Sequence, residues 1–283
     1  MRIPPPLDTH AHVDPGIDGS ELRKLGAFIF AMTRSLDEFE AVRSRTDLRT
    51  LWGVGVHPGL VRAQKAFTIE RFRQLLQDTP LVGEVGLDGS SRVPIELQTA
   101  TFRLVLEELQ RHPRIVSVHS SGAHLRVLRE LHRTPVEGVI LHWWTGGPEV
   151  TEEAVRLGCY FSLPPAMMPS EETVRAIPPH RLLTETDHPY GDRRTRGAKP
   201  GRVDEVEQSL AELRGIESRV QRVEVWANFA RLVDEVGVGA ALPSGWQSTL
   251  RGGTETSGTV TTSSRRIAGA RSNAMRSTHG HGS

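Results

Sequence analysis

Six side chains able to hold a metal ion, His10, His12, Glu84, His119, His142 and Asp187, each close a short apolar run. The runs are LDTHAHV, LVGEVGLD, IVSVHS, GVILHWW and RLLTETDHP. Mixed imidazole and carboxylate donors suit Zn²⁺, Mn²⁺, Fe²⁺ or Co²⁺; Zn²⁺ or Mn²⁺ comes first, and oxygen-seeking Mg²⁺ is a less natural fit. Two such ions about 3.5–4 Å apart can clamp the attacking and leaving oxygens of a displacement. The chemistry to expect is hydrolysis at a centre of at least two divalent ions.

Each residue has a reading of its own. His10 and His12 are two apart, and alternate strand residues share a face, so both imidazoles can reach one ion. The HxH spacing arises often by chance; it gains weight from Asp8-Thr9 before it and from its place on a first strand. Glu84, among apolar neighbours, is costly to bury unless paired with an arginine or bound to metal, and it is the candidate bridging carboxylate. Taken singly, His119 and His142 resemble satisfied core histidines, but with the first pair they make four imidazoles at strand ends. A carboxylate beside an ion can accept a proton from water whose pKa the ion lowers to about 7. Asp187 and Glu84 are therefore the candidate catalytic residues. Asp88 reads as a turn residue or cap.

Substrate contacts are sought nearby. His57, in GVGVHPG, either donates to a substrate phosphate or orders the turn before Pro58. Trp143 and Trp144 could stack on a base or sugar, with one of the two packing into the protein. The loop GDRRTRGAKPGR after Asp187 holds Arg193, Arg194, Arg196, Lys199 and Arg202, placed to capture an anion, with Arg196 the chosen contact.

Positioning these groups requires strands that end together. Eight strand-like runs can be counted: 7–13, 27–33, 51–57, 81–87, 115–119, 138–143, 160–163 and 181–186. Several are continuously apolar, as parallel strands covered on both faces must be. Between the fourth and fifth, Leu97, Ala100, Leu104, Val105 and Leu109 form a helical stripe; after the eighth, Val220, Val223, Ala227, Ala230 and Val233 form another. Eight strand–helix units over residues 1–242 predict an α/β TIM (β/α)₈ barrel with its site at the C-terminal rim. A doubly wound sheet would gather ligands at one crevice instead of spreading them over strands one, four, five, six and eight.

Beyond Leu242 the pattern stops, and residues 243–283, rich in Gly, Ser, Thr and Arg, are expected to be a disordered tail. That tail carries five arginines against Glu255; subtracting its +4 from the total of +1 leaves the body near −3, which is no broad platform for nucleic acid. The single cysteine, Cys159, lies in an apolar run and fits a reducing cytoplasm. Neither a secretory leader nor a membrane span is expected.

The motifs resemble those of the TatD family of metal-dependent deoxyribonucleases, in the amidohydrolase superfamily, from Asp8 to about Leu232. DTHAHVD resembles the family's D-x-H-x-H, GVHPG its G-x-H-P, and VGEVGLD its G-E-x-G-L-D. VSVHS and LHWWTG are similar to its fifth- and sixth-strand histidine motifs, LLTETDHPY to E-T-D-x-P-Y, RGAKP to R-G-K-x-x-x-P, and WANFARL, with Asn228, to its closing helix. The resemblance implies a TIM barrel, two or three divalent ions and phosphodiester hydrolysis, often from DNA ends or at abasic sites, and the modestly acidic body favours ends or single strands over tight duplex binding. It places one ion on His10, His12, Glu84 and Asp187, and a second on Glu84, His119 and His142. Ser121 stands where the family commonly has Arg, Gly89 where an aromatic is usual, and His188 at a variable position where it could add a donor. VGEVGLDGS, LHWWTG, LGCYFSLPPAMM and LLTETDHP further resemble the QatD-like component of bacterial Qat anti-phage systems, which implies an ATPase and a QueC-like protein as partners. Rival readings are an amidohydrolase or lactonase acting on a small carbonyl substrate, and a non-catalytic scaffold in a defence complex.

Overall fold

The computed structural model describes residues 3–257 apart from 167, 195 and 196. All eight expected strands are present: β1 (Leu7–Ala11), β2 (Phe28–Met32), β3 (Thr50–Gly53), β4 (Leu81–Gly86), β5 (Ile115–His119), β6 (Val139–Leu141), β7 (Tyr160–Leu163) and β8 (Leu182–Thr184). Pairing is parallel throughout, in the ladders β1-β2-β3 and β4-β5-β6-β7-β8. A parallel bridge between Val54 and Val82 joins the ladders on one side. On the other, the N–H of Asp187 donates to His10 O (2.8 Å) and that of His12 to His188 O (2.8 Å). The ring is closed, and it is a TIM barrel.

Helices α1 (Gly19–Leu25) and α2 (Leu36–Val42) follow β1 and β2, and α3 (Val61–Ala66) and α4 (Ile69–Leu75) follow β3. Then α5 (Ile95–Arg111), α6 (His124–Arg133), α7 (Pro148–Arg156) and α8 (Glu171–Ala176) alternate with β4 to β8. The chain closes with α9 (Asp204–Arg214), α10 (Ser218–Val236) and α11 (Ser244–Ser257).

Strand side chains sort into two layers. Ile29, Ala31, Val82, Val116 and Val118 pack outward with helix residues such as Phe102 and Leu106. Leu7, Phe30, Leu81, Ile115, Ile140 and Leu183 share the other cluster with Trp226, Phe229 and Trp246, which plug the barrel. On β1 and β4 the register shifts between Asp8 and Ala11 and between Val82 and Val85. Strict alternation from Leu7 and Leu81 would have turned His10 and Glu84 outward; the extra residue in each strand brings both inward. Ordinary alternation suffices elsewhere, from Ile115 to His119, from Ile140 to His142, and from Leu183 through Glu185 to Asp187.

Three expectations need correction. The buried face of α5 is Gln98, Thr101, Phe102, Val105, Leu106, Glu108 and Leu109, while Ala100 and Leu104 are exposed. Gln98 turns inward because its amide donates to Asp88 O (3.1 Å) and Val93 O (2.9 Å) while its oxygen accepts from Asp88 N–H (2.7 Å). On α10 the buried positions include Val225, Trp226, Asn228, Phe229, Leu232 and Val233; Val220 and Ala227 face solvent. Packing also continues past Leu242: α11 begins at Ser244, and Trp246 is fully buried, stacked on Phe30 at 5.4 Å. An indole of that size has apolar area to bury, which the surrounding Gly and Ser conceal. The rest of the expected tail, 258–283, lies outside the described residues.

Candidate metal centre

Glu84 lies at the middle of the barrel mouth, brought there by the kink in β4. Gly83 and Gly86 make this approach possible, for a Cβ on Gly83 would lie 2.6 Å from Met32 Sδ and one on Gly86 2.2 Å from His119 O. Both glycines also have positive φ, 152° and 130°. The two oxygens of Glu84 face different groups. Oε1 is 2.5 Å from His119 Nδ1 and 2.8 Å from His142 Nε2. Oε2 is 3.1 Å from His12 Nε2, 3.4 Å from His57 Nε2 and 3.8 Å from His10 Nε2. Asp187 Oδ1 completes the second side, 3.6 Å from both His10 Nε2 and His12 Nε2. All six metal-ligand candidates therefore come together.

These separations can be compared with what an ion needs. Four donors about 2.1 Å from a tetrahedral cation lie about 3.4 Å apart. The His10, His12, Glu84 and Asp187 set, at 3.1–3.8 Å, has that spacing. The Glu84, His119 and His142 set is drawn tighter by direct hydrogen bonds. Polar satisfaction gives a second test. His10 Nε2, Glu84 Oε2, His119 Nε2, His142 Nδ1 and Asp187 Oδ1 are buried without a hydrogen-bond partner. Orphaned buried polar atoms are rare, and three of these lie together, His10 Nε2 being 3.8 Å from Glu84 Oε2 and 3.6 Å from Asp187 Oδ1, as donors built for one cation would.

Charge points the same way. Burial opposes ionisation of Glu84, but the imidazoles, His57 foremost, outweigh it and hold the carboxyl well below its usual range. Burial lowers His10 strongly, and the nearby His142 ring adds to this. Burial would lower His142 too, yet Glu84 and Glu185 on its two sides raise it well above the usual imidazole value. Asp187 is raised well above its usual value, chiefly by burial. His10 and His142 stack at 3.8 Å, so two charged rings there would repel; positive charge belongs between the carboxylates instead.

Outer partners select the ring nitrogens. His12 Nδ1–H donates to Met32 O (3.2 Å), freeing Nε2 for a metal, and His10 Nδ1 pairs with Ser117 Oγ (2.7 Å). His57 differs: its Nδ1 accepts from Gly59 N–H (2.9 Å), so the neutral ring carries its proton on Nε2. Although His57, Glu84 and His119 are near enough to share an ion, a protonated Nε2 is a donor and not a ligand.

Sequence reasoning missed Glu185, which is fully buried beside the centre. It accepts from Trp143 N–H (2.8 Å) and from the Ser162 hydroxyl, and Oε1 lies 3.7 Å from His142 Nδ1, an ion-pair distance too long for a hydrogen bond. The signal was available, because Glu185 and Asp187 have the i, i+2 spacing that joined His10 to His12. Asp8 is a strut: its carboxylate accepts from Thr186 N–H (2.9 Å), the Thr186 hydroxyl (2.7 Å), Gly201 N–H (2.7 Å) and His10 N–H (3.2 Å). Burial nonetheless pushes it up to about 7.

The remaining candidates lie around the mouth. Trp143 is half-buried in the left-handed region at φ 40°, and Asp187 is there too at φ 42°; such backbone is costly for non-glycine residues and gathers at functional sites. Trp144 is the tryptophan in the core, donating to Thr151 Oγ1 at 2.8 Å. His188 turns its Nδ1 to Asp192 (2.8 Å). Asp88 forms a turn, accepting from Ser90 N–H and hydroxyl. Arg196 lies outside the described residues.

Known proteins share this chain's pattern. Human deoxyribonuclease TATDN3 is 31% identical over 144 residues, 48% of this chain and 53% of the human protein. Against the mouse TATDN3 protein the chain spans 58% of that protein's length. YcfH of Escherichia coli K12, described as an uncharacterized metal-dependent hydrolase, is 28% identical over 254 residues, 80% of this chain and 94% of its own. In structure, the TatD homolog YJJV of Escherichia coli K12 gives a TM-score of 0.72 at 22% identity, covering 82% of this chain and 98% of YJJV. A TatD family hydrolase of Entamoeba histolytica gives 0.65 at 15%, covering 82% and 99%. At those identities the likeness establishes the fold. The family model described as TatD related DNase matches residues 7–234, from the first strand through the closing helix, and the chain belongs to that family.

Proposed function

We propose that this protein is a divalent-metal-dependent hydrolase that cleaves phosphodiester bonds in DNA, taking single strands or ends. One observation carries the reading: ligand-type atoms from five strand ends, Glu84 at their middle, come together, and three of them, His10 Nε2, Glu84 Oε2 and Asp187 Oδ1, are buried without a protein partner. His10, His12, Glu84 and Asp187 would hold one ion and Glu84, His119 and His142 a second, a donor set that favours Zn²⁺ or Mn²⁺ over Mg²⁺. Bound there, the ions would lower the pKa of water to about 7 and offset charge on the phosphoryl oxygens.

The chain's own groups do the rest. Glu84 spans both sets, one oxygen to each, and fixes their separation. Asp187, beside the ion it would help to hold, would take the proton of the attacking water. His57 Nε2–H donates to a non-bridging phosphate oxygen, its tautomer set by Gly59. Trp143 offers a half-buried ring beside His142 for a sugar or base. Family membership and the names of TATDN3 and YcfH support this chemistry.

A cytoplasmic setting and a place in anti-phage defence, beside an ATPase and a QueC-like protein, are also part of the proposal. The first is supported by one buried free cysteine and by the lack, among the described residues, of a helix long and apolar enough to cross a membrane. The second is supported by the VGEVGLDGS and LHWWTG segments. Protein supplied with Mn²⁺ or Zn²⁺ is to be assayed on single-stranded oligonucleotides and on ester and lactone panels. Oligonucleotide cleavage abolished by His119→Ala and by Asp187→Ala is expected. Lactone turnover without DNA cleavage would make the chain a carbonyl hydrolase, and phage protection by Asp187→Ala would make it a scaffold.

A further inference from the structure

Tyr190 lies three residues past Asp187, in a turn fixed by its N–H donating to Asp187 O (2.6 Å). Its ring meets the candidate ligand His12 edge-on, with centroids 5.6 Å apart and planes at 77°. Unlike the buried groups beneath it, Tyr190 is 38% exposed. Two guanidinium groups approach it. Arg193, exposed and with no carboxylate partner among the described residues, lies over the ring at 5.3 Å from its centroid. Arg34, anchored by Glu38 at 2.8 Å, also approaches the Tyr190 hydroxyl. Arg34 is in turn coupled to the mouth, because its carbonyl accepts from His57 N–H (3.0 Å).

An open aromatic face beside cations suits an unpaired nucleotide: every base offers a π-face, and an adjacent phosphate takes a guanidinium. The body's net charge near −3 gives little long-range attraction for DNA, so affinity must be gathered locally. We infer that Tyr190, with Arg193 and Arg34, forms a platform for the unpaired nucleotide next to the phosphate held at the metal centre. Its base stacks on Tyr190 where Arg193 now lies, and Arg193 moves to the flanking phosphate. This rests on the nuclease reading proposed above and specifies which form of DNA that site accepts.

The test is fluorescence anisotropy of the full chain with end-labelled oligothymidylates in which every phosphodiester is a phosphorothioate, so that hydrolysis does not intrude. A matched set carries an abasic unit at the 3′ or the 5′ end. Wild type should bind the fully based strand about tenfold more tightly than one of the abasic strands. Tyr190→Leu should lose that preference and Tyr190→Trp retain it, both taking up Mn²⁺ in calorimetry like wild type. Arg193→Gln should weaken both strands equally and flatten the salt dependence. A preference undiminished in Tyr190→Leu, or absent from a wild type that binds DNA, overturns the platform alone. A wild type that binds no oligonucleotide overturns the nuclease reading and the platform together.

Discussion

Glu84 is the one side chain shared by both halves of the centre, so its loss should do more than the loss of any single histidine. Glu84→Ala is expected to lower bound metal from two ions per chain to fewer than one, read by elemental analysis. Its effect on activity should exceed the about 100-fold typical of losing an outer partner. Glu185→Gln should show that smaller effect, with metal affinity about 10–100-fold weaker in chelator competition, because Glu185 faces His142 Nδ1 and is itself held by Trp143 and Ser162. Unchanged affinity would reduce Glu185 to a strut. At this scale the meeting of the six candidate ligands was legible, since each is a costly polar group closing an apolar run. The groups that orient them were not, because Ser117, Ser162 and the carbonyl of Met32 are ordinary until folding brings them against a ring. Glu185 falls between: its parity with Asp187 was readable, but the stronger carboxylate signal of Asp187 hid it.

The strands were far easier to read than the helices around them. Continuous apolar runs mark parallel strands whatever their neighbours, and β5 and β7 begin and end where the sequence suggests. The flips of parity at β1 and β4 have no local signature, so strict alternation would have placed His10 and Glu84 outside. Helix faces failed for a different reason: Leu104 is 39% exposed while Gln98 is buried, because satisfied polar groups can go inside and single apolar ones can stay out. The boundary at Leu242 failed on one residue. Trp246→Ala should cost about 3–5 kcal/mol in urea unfolding, and a chain ended at Leu242 should be destabilised as well; equal midpoints would return 244–257 to the tail. Asn228 ties α10 to the start of β8 through bonds to Pro179 O (2.7 Å) and Leu182 O (2.8 Å). Asn228→Ala should cost about 1–3 kcal/mol by leaving those carbonyls unpaired.

Across the whole molecule, ion pairs bind the helix layer together. Glu108 on α5 accepts three bonds from Arg73 on α4, and Glu130 on α6 two from Arg103. Both carboxyls lie below the ordinary glutamate value of 4.5, Glu108 chiefly through Arg73 and Glu130 chiefly through Arg103. A folded pKa below the unfolded one stabilises fully above that value, and the contribution is lost as pH falls through the folded pKa. The wild-type advantage in thermal midpoint over Glu108→Gln should therefore be fully present at about pH 7 and shrink as pH falls below 4.5 through the lowered value of Glu108; a constant difference would mean that packing, not charge, sets it. The barrel itself exists to bring distant strand ends to one place, and anomalous diffraction at the manganese edge from Mn²⁺-grown crystals examines that most directly. Two peaks about 3.5–4 Å apart are expected, one among His10, His12 and Asp187 and one between His119 and His142, with Glu84 touching both. An empty barrel mouth, or manganese held only by surface carboxylates, would contradict it.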